Sequence, residues 1–311
     1  MIIKKYDISK LTIWNEFIKN SKQGTFLFDR DYMDYHSDRF IDHSLMFYDE
    51  DNNLIAVLPS NIKDDILHSH QGLSYGGLIY NKNTRTIDVL RCFEKLKLYM
   101  KDNDIKSLIY KKIPYIYNQY LSDEDLYALY RNNAKLIRRD IGYAIDINKR
   151  IELSRNKTRY LKKAESLFYI KETSEFQSFY LIMEEALMNH NAKPVHSSKE
   201  LELLTNRFPN NIKLYGIFNS DNIMVAGAWV FISKDVIHIQ NMLATMSSKK
   251  LNVIDFVYNW ILNSLCKNKQ YLSFGISTEQ NGLHLNEGLA QQKESFGARG
   301  LCYDFYNLSI E

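Results

Sequence analysis

Apolar and polar residues follow the same plan in two stretches of the chain. Residues 47–71 predict a strand, a turn at Asp51-Asn52-Asn53 and a second strand, and residues 217–240 repeat that order around a turn at Asp221-Asn222. Three pairs of residues are each 170 positions apart: Asp51 and Asp221, Ala56 and Ala226, and His68 and His238. A repeat of this length is too long for a solenoid, so it predicts two domains in tandem.

Each copy continues into an amphipathic helix and then into an apolar strand. The helices begin at Ile87 and Ile254, and the strands are predicted at residues 108–110 and 271–274. Each half therefore has helices first, then a meandering sheet, then a helix and further strands. This order predicts an α/β protein of the α+β kind, with a mixed, mostly antiparallel sheet flanked by helices in each domain. We expect a functional site between the two halves.

The boundary between the halves is predicted near residue 148. Residues 141–147 alternate like a closing strand, and a basic helix capped near Ser154 follows them. The predicted domains are 1–148 and 149–311.

Composition is that of an ordinary globular protein. The chain has 311 residues, of which 45% are hydrophobic and 25% charged, enough for a core in each half. A net charge of +3 does not predict a DNA-binding protein. No stretch reaches the roughly 18–20 apolar residues of a membrane span, and the first residues lack the apolar core of a signal peptide. We expect a cytoplasmic protein without a membrane span; the oligomeric state is not predicted.

The three cysteines, Cys92, Cys266 and Cys302, lie in apolar contexts and not at the spacing of metal ligands. They predict buried free thiols in a reducing compartment. No cysteine–histidine pairing predicts a metal site.

The second half contains the motifs of a known family. They are a basic helix at 154–165, the apolar stretch 226–231, the strand end Phe274-Gly275 and the segment 292–298. Through these motifs and the layout of its halves, the chain resembles the Fem-type (FemAB-like) acyltransferases, which carry tandem GNAT (Gcn5-related N-acetyltransferase) domains. It is similar to the short Fem-like proteins associated with surface-polysaccharide biosynthesis. The long helical arm of many Fem proteins and the glycine-rich pyrophosphate loop of simple GNAT enzymes are missing.

The resemblance implies an N-acyltransferase without a metal. It implies transfer of an acyl group, in the first place the acetyl group of acetyl-CoA, to the amino group of a nucleotide-linked amino sugar. Such a reaction needs a neutral amine, a stabilised tetrahedral oxygen and a protonated leaving group. The resemblance places Lys293 opposite the donor, where an ammonium would stabilise that oxygen. The alternative is a solvated lysine on a surface helix.

The donor site is predicted just before the helix of the second copy. Backbone N–H groups at a helix start bind anions, and hydroxyl and ammonium groups add to that. The residues predicted to replace the glycine-rich loop are Ser247, Ser248, Lys249 and Lys250. A polar turn with an N-cap is an equal alternative.

Three histidines are candidates for the base that accepts the proton of the amine: His190, His196 and His238. Each of them is otherwise a hydrogen-bonded structural histidine.

The first half is dense in Asp, Arg, Tyr and His between residues 24 and 40. Aromatic faces stack on a base or sugar, and arginine binds phosphate, so this half is assigned to the acceptor. The predicted acceptor-binding residues are Arg30, Tyr32, Tyr35, His36, Asp38, Arg39, Tyr75 and Gly76. The alternatives are an amphipathic helix with solvated charges and a simple turn at Gly76.

Two other functions stay open. The first is an aminoacyltransferase that acts on a peptidoglycan or sugar precursor with an aminoacyl-tRNA as donor, because the glycine-rich loop is missing and the helix from Arg150 to Lys163 is basic. Under that alternative alone we expect an RNA partner, and its binding should weaken steeply with salt. A binding module that kept the fold without catalysis is the third possibility.

Overall fold

The computed structural model describes residues 1–188 and 193–310. Its strands are β1 (Ile2–Lys5), β2 (Ile41–Asp42), β3 (Leu45–Tyr48), β4 (Leu54–Leu58), β5 (Asn61–Lys63), β6 (Ile66–His68), β7 (Ile79–Tyr80), β8 (Ser107–Lys111), β9 (Lys135–Asp146), β10 (Tyr169–Glu172), β11 (Ile212–Phe218), β12 (Met224–Ile232), β13 (Val236–Ala244), β14 (Tyr271–Ile276), β15 (Thr278–Glu279), β16 (His284–Leu285) and β17 (Arg299–Ser309). Its helices are α1 (Leu11–Asn20), α2 (Arg30–Met33), α3 (Thr86–Asp102), α4 (Glu124–Arg131), α5 (Arg155–Glu165), α6 (Phe176–Met188), α7 (Ser198–Arg207), α8 (Met246–Lys249), α9 (Val253–Trp260) and α10 (Glu287–Ser295).

The chain divides into two compact units. Unit 1 comprises Met1–Ile141, Thr278–Leu285 and the C-terminal segment from Leu301, and unit 2 comprises Gly142–Ser277 and Asn286–Gly300. The division falls inside β9 and β17, so both strands contribute residues to both units. The predicted domains, 1–148 and 149–311, stay a prediction.

Unit 1 contains a sheet in the order β1-β3-β4-β7 and further strands in the order β17-β8-β6-β5-β2. Helix α3 forms because apolar residues recur every three or four positions, which puts them on one face. That face carries Val89, Phe93, Leu96 and Met100, all buried. It packs into a core that includes Tyr110.

Unit 2 contains strands in the order β10-β11-β12-β13-β14-β9. All neighbours are antiparallel except β13 and β14, which are parallel. Helix α6 lies close to β12, because a Cβ on Gly227 would lie 2.2 Å from the ring of Phe179. Glycine at this position therefore lets the helix and the strand approach each other. The mixed, mostly antiparallel α+β class is confirmed.

The duplication is present in the backbone itself. Asn52 and Asn222, again 170 positions apart, both have a left-handed φ of +61°. In the first turn Asp49 N donates to Asn53 O, and in the second Asn219 N donates to Ile223 O. A left-handed asparagine in a two-strand turn is a local requirement that both copies meet in the same way.

Two other expectations have different outcomes. The N-cap at Ser154 is confirmed, since its side chain accepts from Lys157 N. The prediction of a buried thiol is wrong for Cys302, which is exposed, while Cys92 and Cys266 are buried. Cys302 lies between the inward-facing Leu301 and Tyr303 of β17, and alternate residues of a strand face opposite sides. No helix in the described residues is both long and apolar enough to cross a membrane.

Candidate functional site

The parallel strands β13 and β14 pair with each other over a short distance. The pairs are Val236 with Tyr271, Ile237 with Leu272, and His238 with Ser273. Both strands continue beyond this point, β13 to Ala244 and β14 to Ile276. We call the space between residues 239–244 and 274–276 the β13–β14 opening. Strand edges that do not pair with each other leave N–H and C=O groups for an extended ligand.

Each strand beside the opening carries a bulge. Trp229 pairs with Asn241 and Val230 with Ile239, so Gln240 is an extra residue in β13. On the other side, the register of β14 against β9 shifts between Ser273 and Ile276. Bulges bend strands and redirect side chains, and they are common next to active sites. They explain why the two strands part after His238 and Ser273.

Lys293 lies on α10 and is buried, with 3% of its surface exposed. Its Nζ donates to the carbonyl oxygens of Gly275, at 3.0 Å, and Ile276, at 2.7 Å. These two bonds use two of the three donors of the ammonium. The centroid of the Tyr143 ring lies 5.9 Å from the same nitrogen. Lys293 is therefore fixed at the β14 side of the opening and is not a solvated surface lysine.

His238 and Ser273, the last residues at which β13 and β14 pair, are also joined by a hydrogen bond between their side chains. The His238 Nδ1 and the Ser273 Oγ lie 3.0 Å apart. The Gly275 N–H donates to the same Oγ over a longer distance of 3.5 Å. Gly275 has a φ of +68°, in the left-handed region that glycine enters without steric cost. Its N–H thus points to Ser273 while its carbonyl accepts from Lys293.

The two titratable groups at the opening have shifted pKa values. Burial lowers the pKa of Lys293 to about 8. Burial lowers the pKa of His238 to about 4; the Gln240 side chain acts in the opposite direction, and the charge of Lys293 adds to the lowering. At pH 7 the ammonium is mostly charged and the imidazole is neutral. The site therefore presents a fixed positive charge and a weak base.

The predicted donor residues lie on and beside α8. Ser248 is buried, and its hydroxyl donates to the carbonyl oxygen of Val225 at 3.0 Å. Ser247, Lys249 and Lys250 are exposed. The Glu185 carboxylate accepts from Met246 N, at 3.0 Å, at the start of the helix. A donor phosphate at this point would meet that carboxylate, and the donor assignment stays a prediction.

No contact with Lys293 is described for the other two candidate bases, His196 and His190. His196 is buried edge-on against the Trp229 ring, with centroids 5.2 Å apart. His190 lies outside the described residues. The structure brings His238 together with Lys293.

Arg30, predicted to bind phosphate, is buried among carboxylates of its own unit. Its guanidinium pairs with Asp34 and with Asp42, at 3.0 Å, and donates to Ser44. It also lies over the Tyr6 ring at 3.9 Å. Because these contacts already satisfy the charge, we assign Arg30 to the packing of unit 1 and do not carry it into the proposal.

The remaining acceptor candidates are divided between core and surface. Those buried in unit 1 are Tyr32, His36, Tyr75 and Gly76, Tyr35 is partly buried, and Asp38 and Arg39 are exposed. The Tyr75 hydroxyl is bonded to Thr25 Oγ1 at 3.2 Å. The ring of His36 stacks on His70, with centroids 5.2 Å apart. Their role in acceptor binding stays a prediction.

The stacked histidines predict a dependence of stability on acid. Burial lowers the pKa of His70 to about 3, with the charges of His36, Lys111 and Arg30 acting in the same direction, and burial lowers the pKa of His36. The unfolded chain takes up these protons near pH 6.5. Below that pH the folded state binds fewer protons than the unfolded chain. The free energy of unfolding that these two histidines contribute is therefore fully present above about pH 6.5 and is lost as the pH falls.

We expect His70→Asn to flatten this dependence. Each neutral buried histidine contributes a slope of up to about 1.4 kcal/mol per pH unit, and asparagine tolerates the left-handed φ of +62° at this position. The measurement is the free energy of unfolding by urea at several pH values between 4 and 7. His284→Asn, at an exposed histidine, is the matched control. If the free energy of unfolding of His70→Asn falls with pH as steeply as that of the wild type, His70 is not the source of the acid dependence.

The first copy has the same parallel junction, but its opening is filled. Strands β6 and β8 pair over three residues and end with His68 opposite Ile109. Tyr80 and Ala244 are equivalent residues, because they pair with the repeated Ala56 and Ala226. Twelve positions separate His68 from Tyr80 in the first copy, whereas six separate His238 from Ala244 in the second. The six additional residues lie in the loop 69–78, which Lys111 holds through hydrogen bonds from its Nζ to the carbonyl oxygens of His70, Gln71 and Leu73 (2.7–3.3 Å).

Sequence reasoning missed Ser273 and the role of Gly275. A serine in an apolar strand gave no signal by itself. The glycine two positions later was the available signal, because glycine inside a strand pattern often marks a bulge or a close backbone approach.

Solved structures resemble the fold of this chain over its whole length. FemX matches with a TM-score of 0.70 at 9% identity, covering 100% of this chain and 98% of that one. L-PGS from Bacillus licheniformis matches with a TM-score of 0.63 at 10% identity, covering 100% and 94%. A tandem GNAT protein from the clavulanic acid biosynthesis pathway matches with a TM-score of 0.52 at 8% identity, covering 100% and 98%. The chain has a tandem GNAT-like fold.

These likenesses establish the fold and not the reaction. No protein-family model matches the sequence, and no curated protein does. The resemblance to Fem-type proteins is confirmed at the level of the fold, and the association with surface polysaccharides stays a prediction.

Proposed function

We propose that the chain is an N-acyltransferase whose acyl group lies in the β13–β14 opening. The observation that carries the proposal is the buried ammonium of Lys293, held at the point where two parallel strands part. A preorganised charge in a water-poor site stabilises the negative oxygen of a tetrahedral intermediate far more than water does. The filled opening of the first copy supports a single acyl site in each chain.

In this reaction the lone pair of the acceptor nitrogen forms a bond to the acyl carbon. The carbonyl electrons move to oxygen, beside Lys293, and return as the bond to the donor breaks. The proton lost by the nitrogen passes to the leaving oxygen or sulfur, so protons balance without a covalent enzyme intermediate. His238 is a poor base near neutral pH because its pKa is about 4. We therefore assign the electrostatic role to Lys293 and no proton transfer to His238.

The acceptor that we propose is the amino group of a nucleotide-linked amino sugar. It follows from the resemblance to the short Fem-like proteins.

Two donors are compatible with the opening, and the contacts favour the second. An acyl-CoA needs a phosphate site, but Glu185 already occupies the start of α8. An aminoacyl-tRNA needs an exposed basic surface. Helix α5 buries Leu161 and Ala164 on one face and exposes a stripe of cations on the other, at Arg155, Arg159, Lys162 and Lys163. On the opposite face, α5 packs beside α10, where Lys157 donates to Ser295 at 2.6 Å.

The donors are separated by transfer assays at different salt concentrations. With aminoacyl-tRNA and four phosphate contacts, the apparent affinity is expected to fall about 100-fold between 50 and 200 mM salt. Arg159→Gln is expected to weaken RNA binding and to reduce the slope by about one contact, unlike Lys267→Gln at another exposed position of unit 2. Acyl-CoA turnover with little salt dependence would favour the first donor. Absence of transfer from either donor to any amino-sugar nucleotide would refute the proposal and favour a binding module.

A further inference from the structure

A continuous set of contacts leads from the last paired residues to the ammonium. His238 Nδ1 is bonded to Ser273 Oγ, Ser273 Oγ accepts from Gly275 N, and Gly275 O accepts from Lys293 Nζ. The first two residues are not needed to bind the ammonium directly. They act on Gly275, the residue whose carbonyl binds it.

We propose that Ser273 and His238 are positioning residues, which hold the backbone conformation of Gly275 and, through its carbonyl, the Lys293 ammonium beside the β13–β14 opening. The role rests on the proposed function, in which Lys293 contacts the acyl carbonyl.

The conformation of Gly275 shows why such a restraint is needed. Glycine enters the left-handed and the right-handed regions about equally well, so a φ of +68° is only one of its accessible states. The bond from its N–H to Ser273 Oγ selects that state, and in this state its carbonyl points to Nζ. Ser273 is fully buried and is bonded to His238, which restricts the rotation of its hydroxyl.

Loss of the restraint has a specific consequence for Lys293. Without the bond to its N–H, Gly275 can change its φ and ψ and turn its carbonyl away, which leaves Ile276 O as the remaining acceptor of a buried ammonium. A hydrogen bond to the charged form favours that form, so its loss lowers the pKa of the lysine. The titratable groups that face this lysine are His238 and the Tyr143 ring.

The test is an NMR titration of protein labelled with [13Cε]lysine, in which the Lys293 signal is assigned by its loss in Lys293→Met. We expect a midpoint near 8 in the wild type, and a fall of about one pH unit in Ser273→Ala. Gly288→Ala is the matched control, because it lies on α10 and its new Cβ has no atom closer than 3.9 Å. Its midpoint should equal that of the wild type.

Three outcomes overturn the proposal. They are an unchanged midpoint in folded Ser273→Ala, an equal fall in Gly288→Ala, and a wild-type midpoint near the ordinary lysine value of about 10.4. If Ser273→Ala does not fold, Ser273→Cys keeps a similar side-chain shape with a weaker acceptor for the Gly275 N–H and should shift the midpoint in the same direction. The titration needs no substrate, so an inactive protein with the expected midpoints would refute the acyltransferase and leave the positioning role intact.

Discussion

Lys293→Met is expected to lower kcat by about 10²–10³-fold, the usual cost of removing one group that stabilises an oxyanion. Methionine keeps the apolar stem of the lysine as far as Cε but lacks the ammonium, so the negative oxygen loses its partner. The KM for the donor should change little, because the ground-state carbonyl carries only a partial charge. The measurement is steady-state kinetics with the donor that supports transfer.

The control for this prediction is Lys199→Met, which makes the same change at an exposed lysine of α7. It should leave kcat unchanged. A kcat for Lys293→Met within about threefold of the wild type, in a protein that unfolds like the wild type, would remove Lys293 from the mechanism.

The duplicated layout could be predicted from the sequence because its signals are local. A turn such as the one at Asn222 needs a left-handed residue, and apolar periodicity marks the strands on either side. Lys293 was found through a matched segment and not through any pattern of its own. The fold then supplied the reason for its importance, since burial against Gly275 and Ile276 is a long-range contact.

The acceptor residues of the first half show where such reasoning stops. Arg30 and Asp34 are four positions apart on the chain, and their charges were equally consistent with a ligand site and with an ion pair. The choice depends on Asp42 and Tyr6, which only folding brings to the guanidinium. The density of charged residues in the sequence therefore identified a cluster of charges, but it did not show which groups contact Arg30.

The parting of β13 and β14 could not be predicted either. A bulge is one extra residue, and nothing in the pattern around Gln240 distinguishes it from a regular strand. The same junction in the first copy is closed by the loop 69–78, so two equal patterns give an open site and a filled one. The two copies differ in the number of residues between the repeated positions, twelve against six, and not in their hydrophobic pattern.

The stability of unit 1 depends on the buried ion pair of Lys112 and Asp125. Asp125→Ala is expected to lower the free energy of unfolding of this unit by about 3–5 kcal/mol. Asp125 is buried and accepts from Lys112 Nζ and from the Tyr110 hydroxyl, both at 2.7 Å. Alanine leaves a buried ammonium with its bond to Ser122 O and a more distant carboxylate of Asp123 at 3.4 Å.

The effect should extend to the loop that fills the first copy of the opening. The Tyr110 hydroxyl accepts from Leu78 N, at 2.8 Å, and its orientation is fixed by the bond that it donates to Asp125. We expect faster amide hydrogen exchange at Leu78 in Asp125→Ala, together with the loss of stability in urea. Asp102→Ala, at an exposed carboxylate of α3, is the control and should change stability by less than about 0.5 kcal/mol. A similar small change in Asp125→Ala would mean that the ammonium of Lys112 finds water or Asp123 instead, and that the buried pair does not hold unit 1 together.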